Sequence, residues 1–147
     1  MKNWRSVLIP FLCAALTFFV FRTVLIIGYV PSESMEPTIH ANSFVLGIRL
    51  FGELKTGDVI IFRHDGRLLV KRITATAGET AIHCGEEVVV PDDGFYVLGD
   101  NVDNSLDSRY WTDPFVYRGD VVGKVICFRF PRRNPWRKVS AFKSCRR

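Results

Sequence analysis

Pro31-Ser32-Glu33-Ser34-Met35-Glu36-Pro37-Thr38 divides this 147-residue chain into two parts of different character. A long apolar run precedes it, and short apolar runs separated by turn residues follow it. The two prolines fix φ and remove two backbone donors, so the segment is stiff and cannot sit inside a helix. Ser32 and Ser34, two residues apart in a short strand-like or turn segment, point to the same side. Such a loop suits a hydroxyl held out to react. It equally suits a plain hinge between an anchor and a domain.

Upstream, Lys2 and Arg5 precede Val7-Leu-Ile-Pro-Phe-Leu-Cys-Ala-Ala-Leu-Thr-Phe-Phe-Val-Phe21, and Arg22 follows. As helix, residues 7–21 extend roughly 22 Å at about 1.5 Å per residue. A bilayer core is about 30 Å thick; including Ser6 and letting Arg22 snorkel closes most of the difference. A cleaved leader would need a small-x-small site after the apolar centre, but aromatic and β-branched residues run on to Pro31. Residues 23–30, rich in β-branched side chains, read as a strand leaving the membrane. Lys2 and Arg5 put the amino end in the cytoplasm and the remainder outside.

Downstream the pattern is all-β. Residues 44–50, 59–62, 68–73, 88–90, 95–98 and 121–130 supply apolar runs, and His64-Asp-Gly66 is a hairpin turn between two of them. No helical periodicity of useful length follows residue 30. The expected organisation is a cytoplasmic stub (1–5), a transmembrane anchor (6–22), a compact, mainly β domain (23–130) and a basic tail (131–147). That tail accounts for the charge. Residues 128–147 carry eight basic side chains and no acidic ones, so removing them from the net +5 leaves −3 upstream. With Trp136 and Phe142 interleaved, and behind an anchor, the tail suits anionic headgroups better than nucleic acid, and no nucleic acid is expected as a partner; a merely solvated end fits the composition equally well. Cys13 lies in the apolar run; Cys84, Cys127 and Cys145 lack the close spacing of a zinc or redox motif. One disulfide among these three suits an oxidising compartment, with no pair singled out.

A serine hydroxyl needs a base before it becomes a useful nucleophile. His64 lies in a turn, and His40 and His83 lack an orienting acid nearby in sequence. Lys71, inside Leu68-Leu-Val-Lys-Arg-Ile73, is the alternative. An ordinary lysine, with a pKa near 10.4, is neutral in only about one molecule in a thousand at neutral pH. Making it a working base costs roughly 4 kcal/mol, which burial among apolar groups can supply. A strand-edge lysine is otherwise ordinary solubilising charge. Gly99-Asp-Asn-Val-Asp-Asn-Ser-Leu-Asp-Ser-Arg109 is dense in residues that bond their own backbone. Ser105 and Leu106 stand where a calcium loop needs glycine and ligands, which excludes an EF-hand. Ser105 can accept a bond from a lysine, and Asp107 and Arg109 can pair. No metal or cofactor is expected.

Taken together, these stretches resemble the type I signal peptidases, serine-lysine endopeptidases of the bacterial membrane. Residues 31–38 resemble their P-S-x-S-M-x-P-T box, Gly57-Asp58 with Val70-Lys-Arg72 their G-D-V…K-R box, and residues 99–109 their G-D-N-x-x-x-S-x-D-S-R box. The resemblance covers the anchor and nearly all of residues 22–130. It implies Ser34 as nucleophile, Lys71 as general base, and Ser32 with the Ser34 N–H as oxyanion donors. Ser105 would orient Lys71, while Asp107, Arg109 and Asp100 would brace the site. Val30, Met35 and Val70 would line shallow pockets for small side chains. The implied substrates are preproteins, cut after a small-x-small sequence at the outer face of the bacterial inner membrane. After Lys71-Arg72 the family's glycine-rich stretch is reduced to Gly78-Glu79, and the region 82–90 is short. A mitochondrial inner-membrane peptidase or a self-cleaving repressor would share the chemistry, although the repressor type is soluble. Outside enzymes, the rival is an anchored β-module with a lipid- or nucleic-acid-binding tail. Arg118-Gly-Asp120 reads as a turn.

Overall fold

A computed structural model describes residues 4–131, apart from the side chains of residues 5, 6 and 127–131. The basic tail from residue 132 on, with Trp136, Phe142 and Cys145, lies outside the described residues, as do residues 1–3 of the stub.

Helix α1 (Arg5–Val24) is apolar all round, and its described side chains are exposed up to Thr23. That is the pattern of a helix solvated by lipid rather than by a protein core. Its 20 residues make about 30 Å of helix, enough to cross a bilayer. The helix runs two residues past Arg22, where the sequence had suggested a strand from Thr23. Thr23 Oγ1 donates back to the carbonyls of Phe19 (3.0 Å) and Val20 (3.0 Å), which ties that residue into the last turn. The chain then becomes extended at Leu25.

The domain is mainly β. Its strands are β1 (Leu25–Val30), β2 (Ser43–Ile48), β3 (Val59–His64), β4 (Arg67–Thr76), β5 (Thr80–His83), β6 (Glu86–Val89), β7 (Gly94–Leu98), β8 (Phe115–Tyr117) and β9 (Val121–Pro131). Seven form one antiparallel sheet in the order β1-β2-β9-β3-β4-β7-β8, and β5-β6 is a separate hairpin. The β3–β4 hairpin closes through Asp65 (φ 48°) and Gly66 (φ 73°), the type I′ turn expected from His64-Asp-Gly66. Cys84 (φ 53°) and Gly85 (φ 88°) make the same kind of turn between β5 and β6. Arg118-Gly-Asp120 is a short 3₁₀ turn leading into β9.

β3 is buried on both faces. Ile60 and Phe62 join Ile73, Val97 and Trp111 in one core; Val59 and Ile61 join Ile26, Val45 and Met35 in another. Truncating a side chain as buried as Phe62 typically costs about 3–5 kcal/mol. Among the described residues Cys13 and Cys84 are exposed free thiols.

Two features of the sheet shape the site. Among the described residues β1 pairs only with β2, leaving one edge open. β7 pairs with β4 from Arg72 onward, so residues 67–71 of β4 also present an unpaired edge.

Candidate active site

A groove of about 820 Å³ opens between these edges. Tyr29, Val30 and residues 31, 32 and 34 line one side, residues 67–71 another, and residues 103–106 with Tyr110 the rest. The lining is largely apolar, with exposed Tyr29, Leu68, Leu106 and Tyr110 at its surface. Free backbone donors and acceptors along both edges can bond an extended peptide laid between them.

Lys71 is only 3 % exposed although it belongs to this wall. Its Nζ donates to Ser105 Oγ (2.8 Å), and the Ser105 hydroxyl donates to Asp107 Oδ2 (2.6 Å). Asp107 is fully buried and also accepts from the Gly99 N–H (2.9 Å), Arg109 Nε (2.8 Å) and Arg109 Nη2 (2.9 Å). Burial lowers the Lys71 pKa from its ordinary value and outweighs the opposing pull of Asp107; Arg109 lowers it further, and Asp100 raises it. Asp107 itself would be raised by burial, but its bonds from Arg109, Gly99 and Ser105 hold it below the usual carboxylate range. With one N–H committed to Ser105, an uncharged Lys71 amine keeps its lone pair for another partner.

Ser34 is buried at the groove, 7 % exposed, and its Oγ lies 3.2 Å from Ser32 Oγ. Among the described residues no direct Lys71–Ser34 hydrogen bond is formed; the two side chains share the groove wall. Asn101 ties the serine loop down, its N–H donating to the Ser34 carbonyl (3.0 Å) and its Nδ2 to the Glu33 carbonyl (3.1 Å). Asp100 is held by Arg72 through Nε (2.8 Å) and Nη2 (2.6 Å), while Arg72 Nη1 reaches the Gly57 carbonyl (2.8 Å). Burial would raise the Asp100 pKa, but the bonds from Arg72 and Thr38 bring it below the ordinary value.

Ser32, Ser34, Lys71 and Ser105 therefore meet in one groove, with Asp107, Arg109 and Asp100 bracing it from behind. Val30 and Val70 line it. Met35 is buried in the core instead of facing the groove: it is 0 % solvent-accessible, packed with Ile39, Val59 and Ile61, and is not part of the groove lining. Residues 34–38 form a turn, in which the Glu36 N–H donates to the Glu33 carbonyl (3.0 Å) and the Ile39 N–H to the Met35 carbonyl (2.8 Å), and this turn carries Met35 into the core while Ser34 stays at the groove.

Sequence reasoning missed several contributors. Gly99 approaches so closely that an added methyl would collide with Ser105 Oγ and lie 2.5 Å from the Ser34 carbonyl oxygen. Ser108, fully buried, accepts the Val97 N–H (3.0 Å) and returns its own N–H to the Val97 carbonyl (3.2 Å), fastening the Ser105 loop to β7. Arg72 was quoted only as the companion of Lys71. Their common sign is a small or charged residue at a point where two distant segments touch.

The fold and the site thus describe a β-rich domain on a membrane anchor, with a hydroxyl and a buried amine in an open peptide-sized groove. The family model described as signal peptidase, peptidase S26, matches residues 1–90 and 81–130. The chain belongs to that family. Signal peptidase I of Leptolyngbya laminosa is 29% identical over 139 residues, covering 70% of this chain and 68% of its own length. A Synechocystis protein named "Probable signal peptidase I-2" is 30% identical over 139 residues, covering 70% of this chain and 62% of itself. A Staphylococcus aureus protein named "Inactive signal peptidase IA" is 23% identical over 166 residues, covering 89% and 94%. Since one relative is named inactive, catalysis by this chain has to be argued from its own side chains.

Proposed function

We propose that this chain is a catalytically competent signal peptidase I that removes signal peptides from preproteins. The observation that carries the reading is the burial of Lys71 in the groove wall, its amine held by Ser105 and its pKa lowered. A lysine placed only for solubility would stand in solvent.

In this reading the substrate enters the groove as an extended strand between the edges of β1 and β4. Residues −1 and −3 from the cut fall on the same side of such a strand, against the wall bearing Val30 and Val70. Neutral Lys71 takes the Ser34 Oγ proton as Oγ attacks the scissile carbonyl carbon. The Ser32 hydroxyl turns from Ser34 Oγ to the developing oxyanion, joined by the Ser34 N–H; one such donor contributes about 3–4 kcal/mol. Lys71, now an ammonium, gives its proton to the leaving amine, and the C–N bond breaks. Water, deprotonated by Lys71, then hydrolyses the Ser34 ester and releases the signal peptide. Ser105 keeps the amine aimed throughout. Contact between Lys71 and Ser34 closes on substrate binding, as catalytic hydrogen bonds commonly do. Residues 1–5 lie in the cytoplasm, 6–22 mark the anchor, and the domain works on the extracytoplasmic side of a bacterial inner membrane.

The test is cleavage of a small-x-small preprotein in lipid or detergent. Parent protein cleaves it, while Ser34→Ala and Lys71→Ala do not, and Lys71→Arg is equally inactive because a guanidinium does not deprotonate. Cleavage retained by Lys71→Ala refutes the assigned base.

A further inference from the structure

A second cavity, of about 570 Å³, lies where α1 meets the sheet, away from the catalytic groove. Phe18, Phe21, Leu25 and Ile27 form its apolar side, and Arg22 and Arg49 bring two positive charges to it. Arg22 stands in the last turn of α1. Arg49 follows β2 and is held beside that turn by its backbone N–H, which donates to the Val24 carbonyl (2.7 Å). Among the described residues, neither guanidinium has a hydrogen-bond or ion-pair partner, and no acidic residue lines the cavity. Three cations elsewhere in the domain, Arg72, Arg109 and Lys124, each have an aspartate within 2.6–2.8 Å.

Two unneutralised guanidiniums beside a phenylalanine-lined wall, at the end of a helix long enough to span a bilayer, match one ligand chemistry. It is a phosphodiester attached to an acyl chain. Guanidiniums recognise phosphate by paired N–H donors, and a cavity of this size lies within the range of small-molecule sites. We propose that Arg22 and Arg49 hold the phosphate of an anionic phospholipid, whose acyl chain runs down α1 along Phe21 and Phe18. This depends on α1 as a membrane helix and not on the peptidase chemistry.

The test is native mass spectrometry of the full chain released from detergent, titrated with phosphatidylglycerol or phosphatidylcholine. Phosphatidylglycerol should be retained preferentially. Arg22→Gln and Arg49→Gln should each weaken retention about fivefold, the factor one basic residue contributes near an anionic surface. Arg63→Gln, the same charge change at an exposed arginine outside the cavity, should leave it unchanged. Soluble glycerol phosphate at millimolar concentration should not displace the lipid. Equal retention of the two lipids, parental retention by the Arg22→Gln/Arg49→Gln double variant, equal loss in Arg63→Gln, or displacement by glycerol phosphate would each overturn the proposal.

Discussion

Gly99→Ala is a one-methyl change that tests whether the groove depends on the close approach of three segments. The new Cβ would sit 2.5 Å from the Ser34 carbonyl oxygen, against an ordinary contact of 3.4 Å or more, and would collide with Ser105 Oγ. The backbone carrying Ser34 must therefore retreat by roughly 0.9 Å, the difference between the two distances, and Ser105 must shift away from its place beside Lys71. Neither move is free, because Asn101 holds the Ser34 carbonyl and Asp107 holds Ser105. Overpacking of this kind costs about 1–3 kcal/mol, and for a domain of about 100 residues each kcal/mol lowers Tm by about 4–8 °C. A displacement near 1 Å in a reacting group can lower the rate about 100-fold. Gly119→Ala is the control, since a Cβ there meets nothing within 4 Å. Thermal unfolding and kcat/KM on a small-x-small preprotein measure both effects. If Gly99→Ala matches Gly119→Ala in Tm and stays within about twofold of the parent in kcat/KM, the packing argument is wrong.

Cleavage should rise with pH as Lys71 loses its proton, with an apparent pKa in kcat/KM below the ordinary lysine value near 10.4; a profile rising only above that value contradicts the buried base. In thermal melts, Lys71→Met should gain stability relative to the parent at neutral pH. A lysine whose pKa falls on folding penalises the folded state below its folded pKa, and the penalty fades as pH rises towards 10.4, so the advantage of the variant must shrink over that range. Asp107→Asn should cost about 1.5–3 kcal/mol in denaturant titrations at neutral pH, because Arg109 and Ser105 lose a charged hydrogen-bond acceptor. That cost should diminish below about pH 4, since a carboxylate with a depressed pKa stabilises the fold above its unfolded pKa and ceases to as pH falls through its folded one. Arg72→Lys should lose about 1.5–3 kcal/mol, as one ammonium cannot reproduce the paired bonds to Asp100 and the bond to Gly57; an unchanged denaturation midpoint would refute this.

Local patterns in the sequence carried much of the architecture. The apolar run before Pro31, the Asp65-Gly66 turn and the alternating strands each follow from neighbours a few residues apart. The end of α1 was misplaced because Thr23 has strand propensity, yet its hydroxyl bonds backward along the helix. β5 and β8 escaped notice because three or four residues hold too little alternation, and because the β5–β6 turn puts Cys84 at positive φ where glycine would be the usual sign. Ser34, Lys71 and Ser105 were legible as chemical types in stiff or polar segments. Arg72 with Asp100, and Gly99 against Ser34, were not, since each contact joins segments tens of residues apart and leaves no periodic trace. The resemblance places Met35 at the groove, whereas the turn over residues 34–38 carries its side chain into the core.

The helix passes into β1 without a linker, and the open edge of β1 is one side of the cleft where a peptide would lie. Six residues of strand lift Val30 no more than about 20 Å from the helix end. If the chain cleaves as proposed, a preprotein embedded in the same bilayer is gauged by height as well as by its small side chains: only a bond emerging near that altitude reaches Ser34. Lengthening or shortening β1 by two residues, which preserves which face each side chain takes, would move the cutting plane without touching a reacting group.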